Sequence, residues 1–439
     1  MKSPFSLLAL LFVSSVALAD TTAIVNVNVI TMTSDTVLAG QTVVIEDGII
    51  TAIGDVDAVA VSEGATLVDG TDRYLMPGLT EMHAHVTSTA DARIRRLSSL
   101  FLANGVTTVR GMLGRPSHLK LREDIAAGRI FGPRLITSGP SFNGNSVNGA
   151  DHAASMVREQ QAAGYDFLKI HPGLSREEFD AIADTANELG IPFAGHVPVA
   201  VGIAGALDKG MATIDHLDGY MASLLPSNTD TSGGYGGFFG VMLADQVIEG
   251  RIAEVVAATL AAGVANVPTE SLFEHVVNDV APADLATRFE MRYVPEATVR
   301  QWQDAKERTL SERGFDPLVA AQAIDIRRKL ILALHEAGAS LLLGSDAPQI
   351  FNVPGFSLHH ELRFLVAAGL TPYAALQTGT SAPARFFGLN TGTVEVGRIG
   401  DLVLLDANPL INIDNSRRVH GVLLAGRWAT AAALLDGLD

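Results

Sequence analysis

The sequence contains no cysteine. That excludes a disulfide framework and any thiolate-held metal, so a metal bound here needs histidine, carboxylate or a modified side chain. Basic charge is also scarce. Against 48 Asp and Glu stand 31 Lys and Arg, a formal net charge of -17. Such a balance repels phosphates and argues against a nucleic-acid partner. No acidic run forms a tail, so the charge is spread over a surface. Beyond the first residues, no apolar run reads as a membrane span.

What is present is a chain of 439 residues, 48% of them hydrophobic. That is too long for one compact core and enough for a large domain with a small companion. Residues 1–19 differ from the rest. Lys2 precedes an apolar stretch from Phe5 to Leu18, and Ala17-Leu18-Ala19 forms a small-x-small site before Asp20. This reads as a signal peptide cleaved after Ala19; the stretch falls short of the roughly 20 residues that span a bilayer. In a bacterium the mature protein is then periplasmic or secreted.

Both ends of the mature chain are rich in β patterns. Thr22–Ile30 alternates with β-branched residues, and Gln41–Ile53 reads as two strands around Asp47-Gly48, a strong hairpin signal. Near the other end, Asp401–Asp406 and Gly421–Gly426 look similar. Neither end can bury much alone, so 20–76 and 391–439 are expected to pack together as one small β-domain. Between them, over 77–390, strands alternate with helices, the pattern of parallel βα units. The strand candidates are Tyr74–His85, Thr107–Gly111, Arg134–Ser138, Phe167–Ile170, Pro192–His196, Thr213–His216, Ala265–Pro268 and Leu341–Asp346. The helices include Ser175–Leu189, Ala200–Lys209, Arg251–Ala262 and Asp316–Ala337. Eight such units close naturally into a (β/α)8 TIM barrel. Two segments interrupt the rhythm: a glycine-rich loop at 227–240, either a lid or an ordinary surface loop, and a charged, helix-rich insertion at 270–315.

In such a barrel, chemistry sits at the C-terminal ends of the strands. The first strand ends His83-Ala-His85. Residues two apart share a strand face, so both imidazoles can reach one metal. Lys169 lies inside the fourth strand, where a bare ammonium is costly. Either it is salt-bridged in the core, or carbon dioxide has converted it to an anionic ligand. His196 and His216 end the fifth and sixth strands, and Asp346 follows the eighth. Asp346 is either a helix N-cap or a ligand that also moves a proton. Arg110, His171 and Tyr220 are the candidate substrate contacts, with a structural role as the alternative for each. His359 and His360 read as structural, and His118, His152, His275, His335 and His420 as ordinary.

In order and strand position, His83-x-His85, Lys169, His196, His216 and Asp346 resemble the binuclear pattern of the metal-dependent amidohydrolase superfamily. Supporting segments are Gly105–Arg110, Phe193–Pro198, Glu361–Pro372, Thr380–Ala384 and Gly397–Asp406. The similarity covers nearly the whole mature chain and is greatest to the imidazolonepropionase-like and Xaa-Pro dipeptidase-like branch. It implies a barrel carrying a β-sandwich built from both chain ends. It also implies His83 and His85 on a more buried cation, His196 and His216 on a more exposed one, carboxylated Lys169 between them, and Asp346 on the buried one. Where dipeptidase-like members often carry Arg-Asp after strand two, Arg110 is followed here by Gly111. Where they often show Gly-Gly-His after strand three, Ser141–Asn145 stands here. Both departures fall on the substrate side.

The resulting expectation is a hydrolase of an amide or peptide-type C–N bond, using a hydroxide held between two divalent cations, with zinc first among the candidate metals. Its substrate is a small molecule such as a dipeptide or N-acyl amino acid. No nucleic acid is expected, nor a membrane once the signal is removed, and a homo-oligomer is compatible with the composition. Two alternatives stay open: hydrolysis of a cyclic amide, imidazolone or lactone ring, and a non-catalytic periplasmic protein that binds metal and ligand.

Overall fold

The computed structural model describes residues 21–229 and 236–438. The expected signal peptide and residues 230–235 of the glycine-rich loop lie outside the described residues. The chain opens with strands β1 (Thr21–Ile30), β2 (Val37–Glu46), β3 (Ile49–Asp55), β4 (Thr66–Asp69) and β5 (Tyr74–Pro77). Next come β6 (Leu79–Ala84), β7 (Val106–Gly111), β8 (Arg134–Thr137), β9 (Leu168–Ile170), β10 (Phe193–Gly195), β11 (Thr213–Asp215) and β12 (Ala265–Val267). The last are β13 (Leu402–Leu405), β14 (Val419–Leu424) and β15 (Arg427–Thr430).

Strands from both chain ends hydrogen-bond into one sheet, in the order β15-β14-β13-β5-β1-β2-β3, with β4 beside β1. The hairpin read from Asp47-Gly48 is the β2–β3 turn, and β2 pairs antiparallel with β1 and β3. Alternate residues of these strands meet in one apolar cluster that includes Ile24, Val43, Ile45, Leu75, Leu402 and Leu404. Each such side chain contributes roughly 1.5–3 kcal/mol when withdrawn from water. Because the cluster draws on both ends of the sequence, neither end completes it alone.

The middle of the chain is mixed α/β with parallel pairing. One run is β6-β7-β8 and another is β9-β10-β11-β12. A parallel bridge between Ser138 and Phe167 joins the two runs. At the far side, Asn266 pairs with Leu341 and Ala347 pairs with Ala84, so the pairing returns to β6. Helices lie between the strands and are bounded by local signals. Arg176–Leu189 starts with a capping box of Ser175 and Glu178 and stops at left-handed Gly190. Pro317–Glu336 starts with Pro317 in its first turn, and Asp316 accepts from Leu318 N. Among the described residues no helix is long and apolar enough to cross a membrane.

Two strand expectations change. Tyr74–His85 is not one strand: β5 belongs to the terminal sheet and β6 to the parallel run, with the break at Gly78. A Cβ on Gly78 would lie 2.3 Å from the Thr107 side chain, so the crossing between sheets is too tight for any other residue. Leu341–Asp346 is not a regular strand either. Leu342 N bonds to Asn266 O, while Leu343 N turns to Thr378 O. Asp346 then takes a left-handed φ of 60°. The insertion folds into Glu270–Val277, Pro282–Leu285, Phe289–Tyr293 and Glu296–Leu310. Part of it packs with Phe351, Val353 and Phe356.

Candidate metal centre

His83 and His85 share a face at the end of β6, as period-two alternation requires. The left-handed bend at Asp346 brings its carboxylate to them. His85 Nε2 lies 2.9 Å and His83 Nε2 3.5 Å from Asp346 Oδ1. One ligand atom from each of the three residues falls within 4.8 Å of the others. His196 and His216 are not in this tight group but adjoin it through ring contacts. The His83 and His216 ring centroids are 4.5 Å apart, and those of His216 and His196 4.6 Å. His216 Nδ1 also lies 3.8 Å from Asp346 Oδ2.

Lys169 on β9 is fully buried, and its Nζ has no hydrogen-bond partner. Space for it depends on Gly195 in the neighbouring strand. That glycine has a φ of +126°, and a Cβ there would lie 2.4 Å from Ile170 O and 3.0 Å from Lys169 Nζ. His83 Nε2 and Asp346 Oδ1 are likewise buried without a hydrogen-bond partner. Leaving such atoms unpaired costs about 1–3 kcal/mol each. Imidazole lone pairs facing a carboxylate without hydrogen-bond geometry are what a cation would satisfy, so the donor set fits divalent metal.

Burial, with Lys169 close by, holds the His83 imidazole well below its usual range. Burial, with His83 close by, does the same at His216. Both are therefore neutral near pH 7, the form that ligates metal. Burial pulls the Lys169 amine down to about 8, so an appreciable fraction is the neutral nucleophile at pH 7.

Several partners were not apparent from the sequence. Asp215 Oδ2 lies 3.0 Å from His83 Nδ1, and Asp218 Oδ2 2.9 Å from His196 Nδ1. Thr269 Oγ1 lies 2.8 Å from His216 Nδ1. A partner on one ring nitrogen orients the imidazole and leaves the other nitrogen for a metal. Glu81 accepts from His83 N, Ser345 N and Ser345 Oγ, tying β6 to the segment that carries Asp346. The period-two pattern Glu81, His83, His85 was the available signal for it. Phe239 stacks on His216 at 4.8 Å and on His196 at 5.9 Å.

The three expected substrate contacts separate. Arg110 is fully buried, donating to Met82 O, Thr213 Oγ1 and both Asp215 oxygens, so it braces the interior and is closed to a substrate. Tyr220 is 1% exposed, and its hydroxyl bonds Thr259 Oγ1 and Asn266 Oδ1. Its hydroxyl is thus committed to these partners, and burial pushes it up to about 12. His171 does stay at the centre, its ring 5.1 Å from that of His196. His359 is held by Ser416 Oγ and Asn104 O, a structural role.

A family model for the amidohydrolase family matches residues 74–429. Enamidase from Eubacterium barkeri is 23% identical over 408 residues, 91% of this chain and 90% of that protein. Among solved structures, bottromycin amidohydrolase matches with a TM-score of 0.71 and 24% identity, covering 94% of this chain and 88% of its own. A Xaa-Pro dipeptidase with bound methionine matches with a TM-score of 0.66 and 19% identity, over 93% of this chain and all of that one. These likenesses establish a TIM-barrel-type α/β fold.

Proposed function

The chain belongs to the amidohydrolase family of metal-dependent hydrolases acting on C–N bonds, and from that premise we propose that it hydrolyses the amide of a dipeptide or N-acyl amino acid at a two-cation centre. The observation that carries this reading is the meeting of His83, His85 and Asp346 beside a buried, unpartnered Lys169 Nζ. The reading takes the ring of parallel strands as a (β/α)8 barrel and the shared terminal sheet as its β-sandwich companion. His83, His85 and Asp346 would hold one cation, and His196 and His216, whose rings adjoin them, would hold a second. Lys169 would join them as a carbamate: its neutral amine would add to carbon dioxide and lose a proton, exchanging a costly buried cation for an anionic ligand. A nitrogen and oxygen ligand set without sulfur suits zinc.

When bound, the metals supply Lewis acidity and lower the pKa of water toward about 7. Asp346 takes the proton from the attacking water and delivers it to the leaving nitrogen. Asp215 and Asp218 hold His83 and His196 in orientation through their Nδ1 atoms. His171 is the remaining residue for contacting substrate at the mouth. In a bacterium, cleavage of the expected signal after Ala19 would put this chemistry in the periplasm or outside the cell.

Purified protein in zinc and bicarbonate is offered dipeptides, N-acyl amino acids, cyclic amides and lactones. Metal-dependent cleavage of the first two classes is expected; turnover of the ring compounds alone would move the bond, and none in any class would favour a binding protein. Asp346→Asn is expected to retain metal and lose at least about a hundredfold in kcat; near-normal turnover removes the proton-transfer role.

A further inference from the structure

The turn Phe238–Gln246 places an aromatic pair on the centre, and nothing in the hydrolytic scheme uses it. Phe239 lies nearly parallel to the imidazoles of His216 and His196, at interplanar angles of 17° and 21°. Phe238 meets Phe239 edge-on at 4.5 Å and stacks on Phe273 at 6.3 Å. Both rings are half-buried, so each leaves apolar surface beside the reacting atoms. Phe239 also adopts φ 48° and ψ 36°, the left-handed region. For an aromatic residue this costs about 1–2 kcal/mol, and it persists only where surrounding structure enforces it. Here the turn packs against the helices Tyr220–Ser223, Glu270–Val277 and Pro317–Glu336. Phe239 thus lies roughly parallel to both imidazoles, closer to His216 than to His196.

We propose that Phe239, backed by Phe238, is a specificity wall: the substrate carries an aromatic or branched apolar group next to the scissile bond, and that group packs on the exposed part of the ring. This deepens the hydrolase reading and rests on it for the bond cleaved. A polar group at the same place would lose its water against the ring without gaining a hydrogen bond.

The test compares the dipeptides Leu-Phe and Ser-Ser on the full protein and two variants. Phe239→Gly accepts the left-handed φ without strain and removes the ring, and Phe239→Tyr keeps the ring. Calorimetric titration of metal-free protein reads binding, and kcat/KM on zinc-loaded protein reads turnover. The wild type is expected to favour Leu-Phe by at least about tenfold in both. Phe239→Gly should bring the preference within about threefold, and Phe239→Tyr should retain it. An equal preference in wild type and Phe239→Gly, a preference for Ser-Ser, or no binding of Leu-Phe would each overturn the wall. If neither dipeptide is hydrolysed, the peptide-hydrolase reading fails, and the titration still decides the role of Phe239.

Discussion

Glu361, on the helix Phe356–Ala367, is fully buried and accepts from Ser271 N at 2.6 Å. Burial, with Glu270 nearby, pushes its carboxyl up to about 8 from 4.5. Between these two values the folded protein keeps a proton that the unfolded chain has released. Stability contributed by this residue therefore falls as pH rises from about 4.5 to about 8. Glu361→Gln stays neutral throughout. It should melt within about a degree of wild type at pH 5 and a few degrees higher at pH 8.5. Superimposable melting profiles across that range would show that Glu361 titrates as an ordinary carboxyl. At this scale the sequence pointed to the candidate ligands, because each lies in or just after an apolar strand where a polar residue needs a reason. It did not reveal Asp215, Asp218 or Thr269. Their pairing with imidazoles depends on which strands become neighbours. For Arg110 and Tyr220 the choice between a structural role and a substrate contact stayed open for a related reason: closeness in sequence to a ligand does not tell where a side chain points.

At the scale of the element, the short strand β10 sets the room for Lys169. Gly195 combines a φ of +126° with a Cβ position 2.4 Å from Ile170 O. Gly195→Ala must move β9 against β10, so it should destabilise the fold by about 2–4 kcal/mol and lower metal content. Chemical unfolding with elemental analysis checks both. A variant with wild-type stability and metal would mean that β9 and β10 are not held at this spacing. Strand existence was legible from the alternation of β-branched runs with helical ones. The break at Gly78 was not, since Tyr74–His85 reads as one apolar run and the change of sheet is visible only once Thr107 lies against it. The irregular segment before Asp346 was hidden likewise, because its bonds are shared between Asn266 and Thr378.

At the scale of the whole molecule, the joining of the two chain ends was legible because each end is β-rich and too short to bury its own apolar face. The insertion was not. Its charge pattern did not reveal that Glu270, Glu274, His275 and Lys306 are all buried. Glu270 pairs with Arg327 and Glu274 with Arg328, while Lys306 donates to His275 O. Charge implies exposure only when it lacks a partner, and these partners come from distant parts of the sequence. The same convergence from distant segments brings His83, His85 and Asp346 together and underlies the proposed two-cation centre. It is tested most directly by counting divalent ions in protein purified without chelator in bicarbonate buffer, for wild type and Lys169→Ala. Two ions per chain in the wild type and no more than one in the variant is the expected result. An active wild type without stoichiometric metal, or a variant that keeps both ions, would contradict it.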